Sequence, residues 1–349
     1  MNVLGRFRRA DDDGCRCDPS FVEPTGTGVS DRVELIVESD DCPGRGDLAR
    51  DPDCRATVID ALARRDADAV RTRSNGRERT YADDAAALLL AAGRFAERVA
   101  FHDERLAELA RRDPLRAARE ATGRAGPVST VVAETGLAEG AHRASGYEAA
   151  LRPFVGPTIA RSRVAIRPPE DARLDDRWAL DTGATVRLYR TDHGRRVYHI
   201  EPVAHALCDE SMATLSAAAE RLAIGSVPGG ERAPGRAVRR VADDDEPVER
   251  LSAVLRAFTR GHGVLDDLFA DPRVSDAFVT APVTDNPVRA VVDGERMRTN
   301  VRLTPGGASA LASRFRRASG RSFSRANPTI DAVVDSAAGE GGGTSASRA

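Results

Sequence analysis

From Val248 to Thr259 apolar residues recur every third or fourth position, Leu251, Val254, Leu255 and Phe258, with charged residues between them. That period predicts a helix with one buried face. The stretch that follows, "GVLDDLFADPRVSDAFVTAPVTDNPVRAVVDGERMRTNVRLTPGGASALASRFRRASG", predicts a short helix, three strands and a helix. Within it, "VVDGERMRTNVRLT" alternates on both sides of Asp293-Gly294, the signature of a β-hairpin. A second hairpin is predicted upstream, where "ATVRLYR" and "RRVYHIE" flank "TDHG", followed by a helix from Val203 to Ala223. Towards the amino terminus helical spacing dominates, from Cys54 to Arg71 and from Thr80 to about Arg112. "GPVSTVVAETGLAEG" and "SGYEAALRPFVGPTIARSR" predict two more helices bounded by Gly and Pro. The front of the chain is turn-rich around a single predicted strand, "DRVELIVES".

These elements predict an α+β, multidomain chain: a helical, cysteine-bearing amino-terminal region followed by small α/β domains with antiparallel hairpins. The expected divisions are a cysteine-bearing segment over 1–55, a helical domain over 56–165 and a hairpin domain over 166–225. The double proline in "RVAIRPPEDARL" separates the last two. A Gly/Pro/charge-rich linker is expected over 226–245, an α/β domain over 246–331 and a disordered tail over 332–349. The length of 349 residues and 41% hydrophobic content are enough for two or three domains with cores.

Charge excludes some functions. All 52 basic residues are arginine, against 54 acidic ones, and the signs are interleaved. A broad nucleic-acid surface needs clustered positive charge to displace counterions, so no nucleic-acid partner is expected. No apolar run reaches the ~18–20 residues of a membrane span, and the amino terminus lacks an apolar signal core, which predicts a cytoplasmic protein.

Cys15, Cys17, Cys42 and Cys54 are spaced C-x-C, then a long gap, then two cysteines far apart. Four thiolates are the ligand set of a tetrahedral structural zinc, and "CPGRG" after the third has the turn that lets backbone amides approach a coordinated sulfur. Neither pair is the C-x-x-C of a zinc ribbon, so free buried thiols or a disulfide remain open. Zinc is expected ahead of an iron–sulfur cluster. His199, Glu201, His205 and Cys208 are also close in sequence, but a strand and the following helix carry them, and they read as ordinary residues of those elements.

Three stretches in order, "RGHGVLDDLFADPRVSDAFV", "VVDGERMRTNVRLT" and "LASRFRRASGRSFSRANPTIDA", resemble the domain preceding the motor in type II/type IV secretion and type IV pilus ATPases, archaeal members included. In that family the matching words are a Gly-x-Leu-x-x-Leu-x-x-Asp-Pro opening, a hairpin with a short x-Gly-x-Met turn, and a helix ending in Ser/Ala-x-Pro-x-Leu-Asp. The front of the chain is similar to the long amino-terminal region of haloarchaeal members. The resemblance implies a hexamer, a membrane platform protein as partner at the inner face of the cell membrane, and an α/β domain whose basic residues reach the phosphates of a nucleotide. Carried onto the hairpin, it selects Arg296, Arg298 and Arg302. Guanidinium groups bind phosphate oxygens bidentately, and alternate strand positions point the same way, so the three are expected to share a face.

A motor of this family needs GxxxxGK[ST], and a chain without lysine has no such loop. The expectation is therefore a non-catalytic amino-terminal portion, truncated or split from its motor and inactive alone, engaging ATP and magnesium only through a separate motor domain. The alternative is a stand-alone zinc-binding adaptor or regulator with no nucleotide role.

Overall fold

Residues 14–23 and 32–319 are described by a computed structural model, in which helices and sheets mix as expected for an α+β chain. They form two units: the described residues up to Ser74 with Glu78–Pro153, and Asn75–Arg77 with the described residues from Phe154.

In the first unit, β1 (Asp18–Val22) pairs antiparallel with β2 (Glu34–Glu38), and β2 pairs in parallel with β3 (Ala69–Ser74). The crossover between the parallel strands is α1 (Pro52–Arg64). Pro52 presets the first turn of α1, and the Asp51 carboxylate accepts from the N–H groups of Asp53 and Cys54 at 3.0 and 2.7 Å. The helix stops at Arg64, short of the expected Arg71, because "AVRTRSNGRERTY" alternates at the strand period. It makes β3 and β4 (Arg77–Tyr81) around Asn75-Gly76, whose φ of 49° and 75° fit a tight hairpin turn. Six helices follow: α2 (Asp84–Val99), α3 (Glu104–Arg112), α4 (Pro114–Thr122), α5 (Pro127–Glu134), α6 (Leu137–His142) and α7 (Tyr147–Ala150). Gly93 lets α2 lie close on α1, since a Cβ there would come within 2.8 Å of the Ala63 nitrogen. Leu35, Val58, Ile59, Leu89 and Phe95 are buried in one core that also takes in Cys42 and Cys54.

The second unit begins with β5 (Phe154–Pro157) and β6 (Ser162–Ala165), taken from the end of the expected helix "SGYEAALRPFVGPTIARSR". Then come β7 (Arg173–Ala179), β8 (Thr185–Arg190) and β9 (Arg196–Glu201), with β8 and β9 forming the "TDHG" hairpin as expected. After a 3-10 turn at Val203–Ala206 there are three helices: α8 (Asp209–Ala223), α9 (Ala233–Arg239) and α10 (Val248–Thr259). The chain continues through α11 (Val264–Ala270), β10 (Val274–Phe278), β11 (Arg289–Val292), β12 (Glu295–Thr299), β13 (Val301–Leu303) and α12 (Pro305–Ser319). Six strands form a sheet in the order β10-β11-β12-β9-β8-β7, with β12 parallel to β9 and the other pairs antiparallel.

Three expected divisions give way. The cysteine-bearing and helical segments share one core, so no boundary falls near 55, and the division lies after Pro153 rather than at 165. The hairpin domain and the α/β domain share one sheet, because Arg298 of β12 pairs with Val197 of β9. The expected linker contains α9, whose Ala237 and Val238 are fully buried against Met212 and Leu215 of α8 and Leu251 of α10. Its Gly and Pro residues mark helix ends rather than an open tether. The expected tail and the "SRANPTID" word lie outside the described residues. Among the described residues, no helix is long and apolar enough to cross a membrane.

Candidate metal centre

Three separate pieces of the first unit bring four cysteines to one point. Cys15 and Cys17 sit in the lead-in to β1, Cys42 opens the turn after β2, and Cys54 occupies the first turn of α1. The Sγ separations are 3.4 Å for Cys42–Cys54, 3.6 Å for Cys17–Cys42 and Cys17–Cys54, 3.7 Å for Cys15–Cys42 and 3.8 Å for Cys15–Cys54. All four sulfurs lie within 4.8 Å of one another. None is in a disulfide, which requires sulfurs about 2.05 Å apart. A regular tetrahedron with sulfurs about 2.3 Å from a central zinc has edges of about 3.8 Å, close to what is seen. The four thiols can therefore hold one metal ion such as zinc. A polynuclear iron–sulfur cluster places iron and inorganic sulfide between the cysteines and spreads them further apart, so this spacing fits a single ion.

The surroundings suit thiolates. The Arg16 amide donates to Cys42 Sγ at 3.4 Å, the Cys17 amide to Cys15 Sγ at 3.5 Å and the Thr57 hydroxyl to Cys15 Sγ at 3.2 Å. The Gly44 amide donates to Cys42, and the Gly46 amide to Cys54. "CPGRG" thus works as its composition implied. Gly44 has no room for a side chain, since a Cβ would lie 2.6 Å from Cys54 Sγ, and Gly46 has a φ of 64°. The turn is fixed from behind: Thr72 Oγ1 and the Tyr81 hydroxyl donate to the Gly46 carbonyl at 2.8 and 3.4 Å. Arg55, next to Cys54 and 4% exposed, donates to the Ala49 and Arg112 carbonyls and lies 3.7 Å over the Tyr147 ring.

Burial pushes the Cys42 thiol up, but the Arg16 and Gly44 amides and the neighbouring thiols favour its thiolate more and lower its pKa from 9.0 to about 7. Hydrogen bonding to Cys17, together with burial, pushes Cys54 far up, and burial pushes Cys15 up. Without a cation the pocket concentrates its negative charge on Cys42, and a divalent ion supplies the compensation that lets the others ionise. The four cysteines were expected from the sequence, whereas Thr57, Thr72, Tyr81 and Arg55 were not. Only Thr57, one helical turn beyond Cys54, carried a signal that spacing could have revealed.

The hairpin arginines do not converge. Arg296 and Arg298 are exposed on one face of β12, as alternation requires, with Arg296 5.7 Å from the Phe278 ring. Arg302 lies on β13, which pairs with β6 instead, and its guanidinium sits 4.8 Å over the Phe154 ring. The expected common face for all three is corrected. Asn300, 8% exposed, makes the crossing between strand groups: Nδ2 donates to the Ala165 and Ile200 carbonyls at 2.8 Å each, and Oδ1 accepts from the Ile200 amide at 2.9 Å. His199 is buried on β9 and His205 lies in the 3-10 turn; burial pushes both down, His205 to about 4, while Cys208 is exposed.

No protein-family model matches the chain, and no curated protein matches it. The centre's chemistry rests on its own geometry.

Proposed function

We propose that this chain is a metal-stabilised, non-motor module of a type II/type IV secretion (pilus-type) ATPase, acting in subunit assembly and in coupling to a nucleotide held by a separate motor domain. Zinc at Cys15, Cys17, Cys42 and Cys54 is a structural ion that fastens the amino-terminal unit. Arg296 and Arg298 of the exposed hairpin face are the groups offered to phosphate, with Arg302 in a supporting place. The module works at the inner face of the cell membrane with a platform protein, as part of a hexameric ring.

One observation carries the reading: the word Gly-x-Leu-x-x-Leu-x-x-Asp-Pro folds as a unit in which Gly263, Leu265, Leu268 and Asp271 each have a physical task. Gly263 takes a φ of 65° ahead of α11, and Leu265 and Leu268 are buried in the core of the second unit. Asp271, 1% exposed, accepts from Trp178 Nε1 at 3.0 Å and from the Tyr198 hydroxyl at 2.7 Å. A word so tied to folding supports a shared architecture.

The test mixes the purified chain with a GxxxxGK[ST]-bearing motor domain encoded beside it and follows phosphate release. The proposal expects no turnover by the chain alone and a stimulated rate in the mixture that falls with Arg296→Ala and Arg298→Ala. A monomeric, metal-loaded chain that neither binds the motor nor changes its rate supports the second reading, a zinc-binding adaptor, which the thiol tetrahedron alone favours.

A further inference from the structure

The four metal ligands fall into two pairs held by different means. Cys42 and Cys54 are 3% and 0% exposed, and their amide donors Gly44 and Gly46 belong to a turn anchored by Thr72 and Tyr81. Cys15 and Cys17 are only partly buried and precede β1 directly.

Besides the sulfurs, the arm is held by its ladder to β2, by the Ser20 hydroxyl donating to the Ile36 carbonyl at 3.4 Å and by an exposed ion pair of Glu23 with Arg65. Every second residue of β1 is exposed and none is fully buried. β1 lies at the edge of its sheet with β2 as its neighbour, and Pro19 has no amide to give. Its chief non-polar hold is half-buried Phe21, with Arg65 5.1 Å from its ring. A five-residue edge strand of this kind adheres weakly in water.

We infer that the metal is a clasp for the arm: occupancy docks residues 15–22 on β2, and loss of the ion releases them while α1, α2 and the Cys42–Cys54 pair keep their places. The state of the centre is thereby transmitted to the outer edge of β2, Glu34–Glu38, which the arm covers when metal is bound and which is open to solvent when it is not. This rests on the reading that the four cysteines hold one ion.

Hydrogen–deuterium exchange on the full chain tests it, comparing protein loaded with zinc alone and the same protein stripped by chelator under reducing conditions. The clasp predicts exchange at least about tenfold faster across 15–22 and the β2 amides after stripping, with α1 and α2 unchanged. The Cys15→Ser/Cys17→Ser double variant should show the released pattern even with zinc present. Unchanged protection of 15–22 after zinc has demonstrably left, or collapse of protection throughout α1 and α2, overturns the clasp and leaves the metal site standing. Zinc binding below half an equivalent removes the metal reading itself, and the clasp with it.

Discussion

The sulfurs of Cys42 and Cys54 lie 3.4 Å apart although one opens the turn after a strand and the other sits in the first turn of a helix. Bringing two thiols this close without a bond is unfavourable once both ionise, so the arrangement makes chemical sense around a cation. Cys54→Ser or Cys42→Ser should therefore abolish stoichiometric zinc binding. Thr57→Val, which removes the hydroxyl that lies 3.2 Å from Cys15 Sγ and 3.1 Å from the Asp53 carbonyl, should weaken affinity by about tenfold, as loss of outer-shell partners does elsewhere. Competition with a chromophoric chelator measures both.

Proton release on zinc binding should depend on pH with a known sign. In the metal-free chain Cys42 is a thiol below pH 7 and a thiolate above it, because its pKa is lowered to about 7 from 9.0. Binding demands the thiolate, so about one more proton leaves Cys42 per zinc at pH 6 than at pH 8. Calorimetry in buffers of different ionisation enthalpy reads this difference, and an increase with pH would contradict it.

Two acids of one word should respond in opposite ways. Asp271 is buried and takes three hydrogen bonds, from Trp178, Tyr198 and the Arg273 amide, so Asp271→Ala should cost about 3 kcal/mol. Burial raises Asp267 to about 6 from 3.8 against an opposing hydrogen bond from Thr182. Its contribution to stability is complete below pH 3.8 and is lost as pH rises through 6. Asp267→Asn should thus stabilise the protein by about 1–2 kcal/mol at pH 8 and leave it unchanged near pH 3.5. Denaturant titrations at the two pH values check both variants.

The hairpin arginines should separate by stability as well as by role. Arg302→Ala removes a guanidinium packed over Phe154 and should cost about 1 kcal/mol, whereas exposed Arg298→Ala should stay within about 0.5 kcal/mol. Equal effects in thermal unfolding would count against the placement of Arg302 on its own strand group.

Much of this was legible in the chain. The helical stripe of Leu251, Val254 and Leu255 and the "TDHG" hairpin are local patterns, and local patterns survive folding. What failed was non-local. The alternation in "AVRTRSNGRERTY" was hidden behind a helical run, although Asn75-Gly76 marked the turn. The Gly/Pro wealth around α9 looked like a tether because only neighbouring helices reveal that Ala237 and Val238 are buried. Arg302 shares sequence parity with Arg296 and Arg298, but Asn300 carries the chain into another strand group, and no periodicity within one strand foretells that step. Thr72 and Tyr81 support the turn at Gly46 from elements distant in sequence.

X-ray absorption at the zinc edge, on protein purified without chelator and assayed for metal, tests the centre most directly. The account predicts one zinc per chain with four sulfur neighbours at about 2.3 Å and no metal–metal scattering. Less than half an equivalent of metal, or a shell with fewer than four sulfurs, would contradict it.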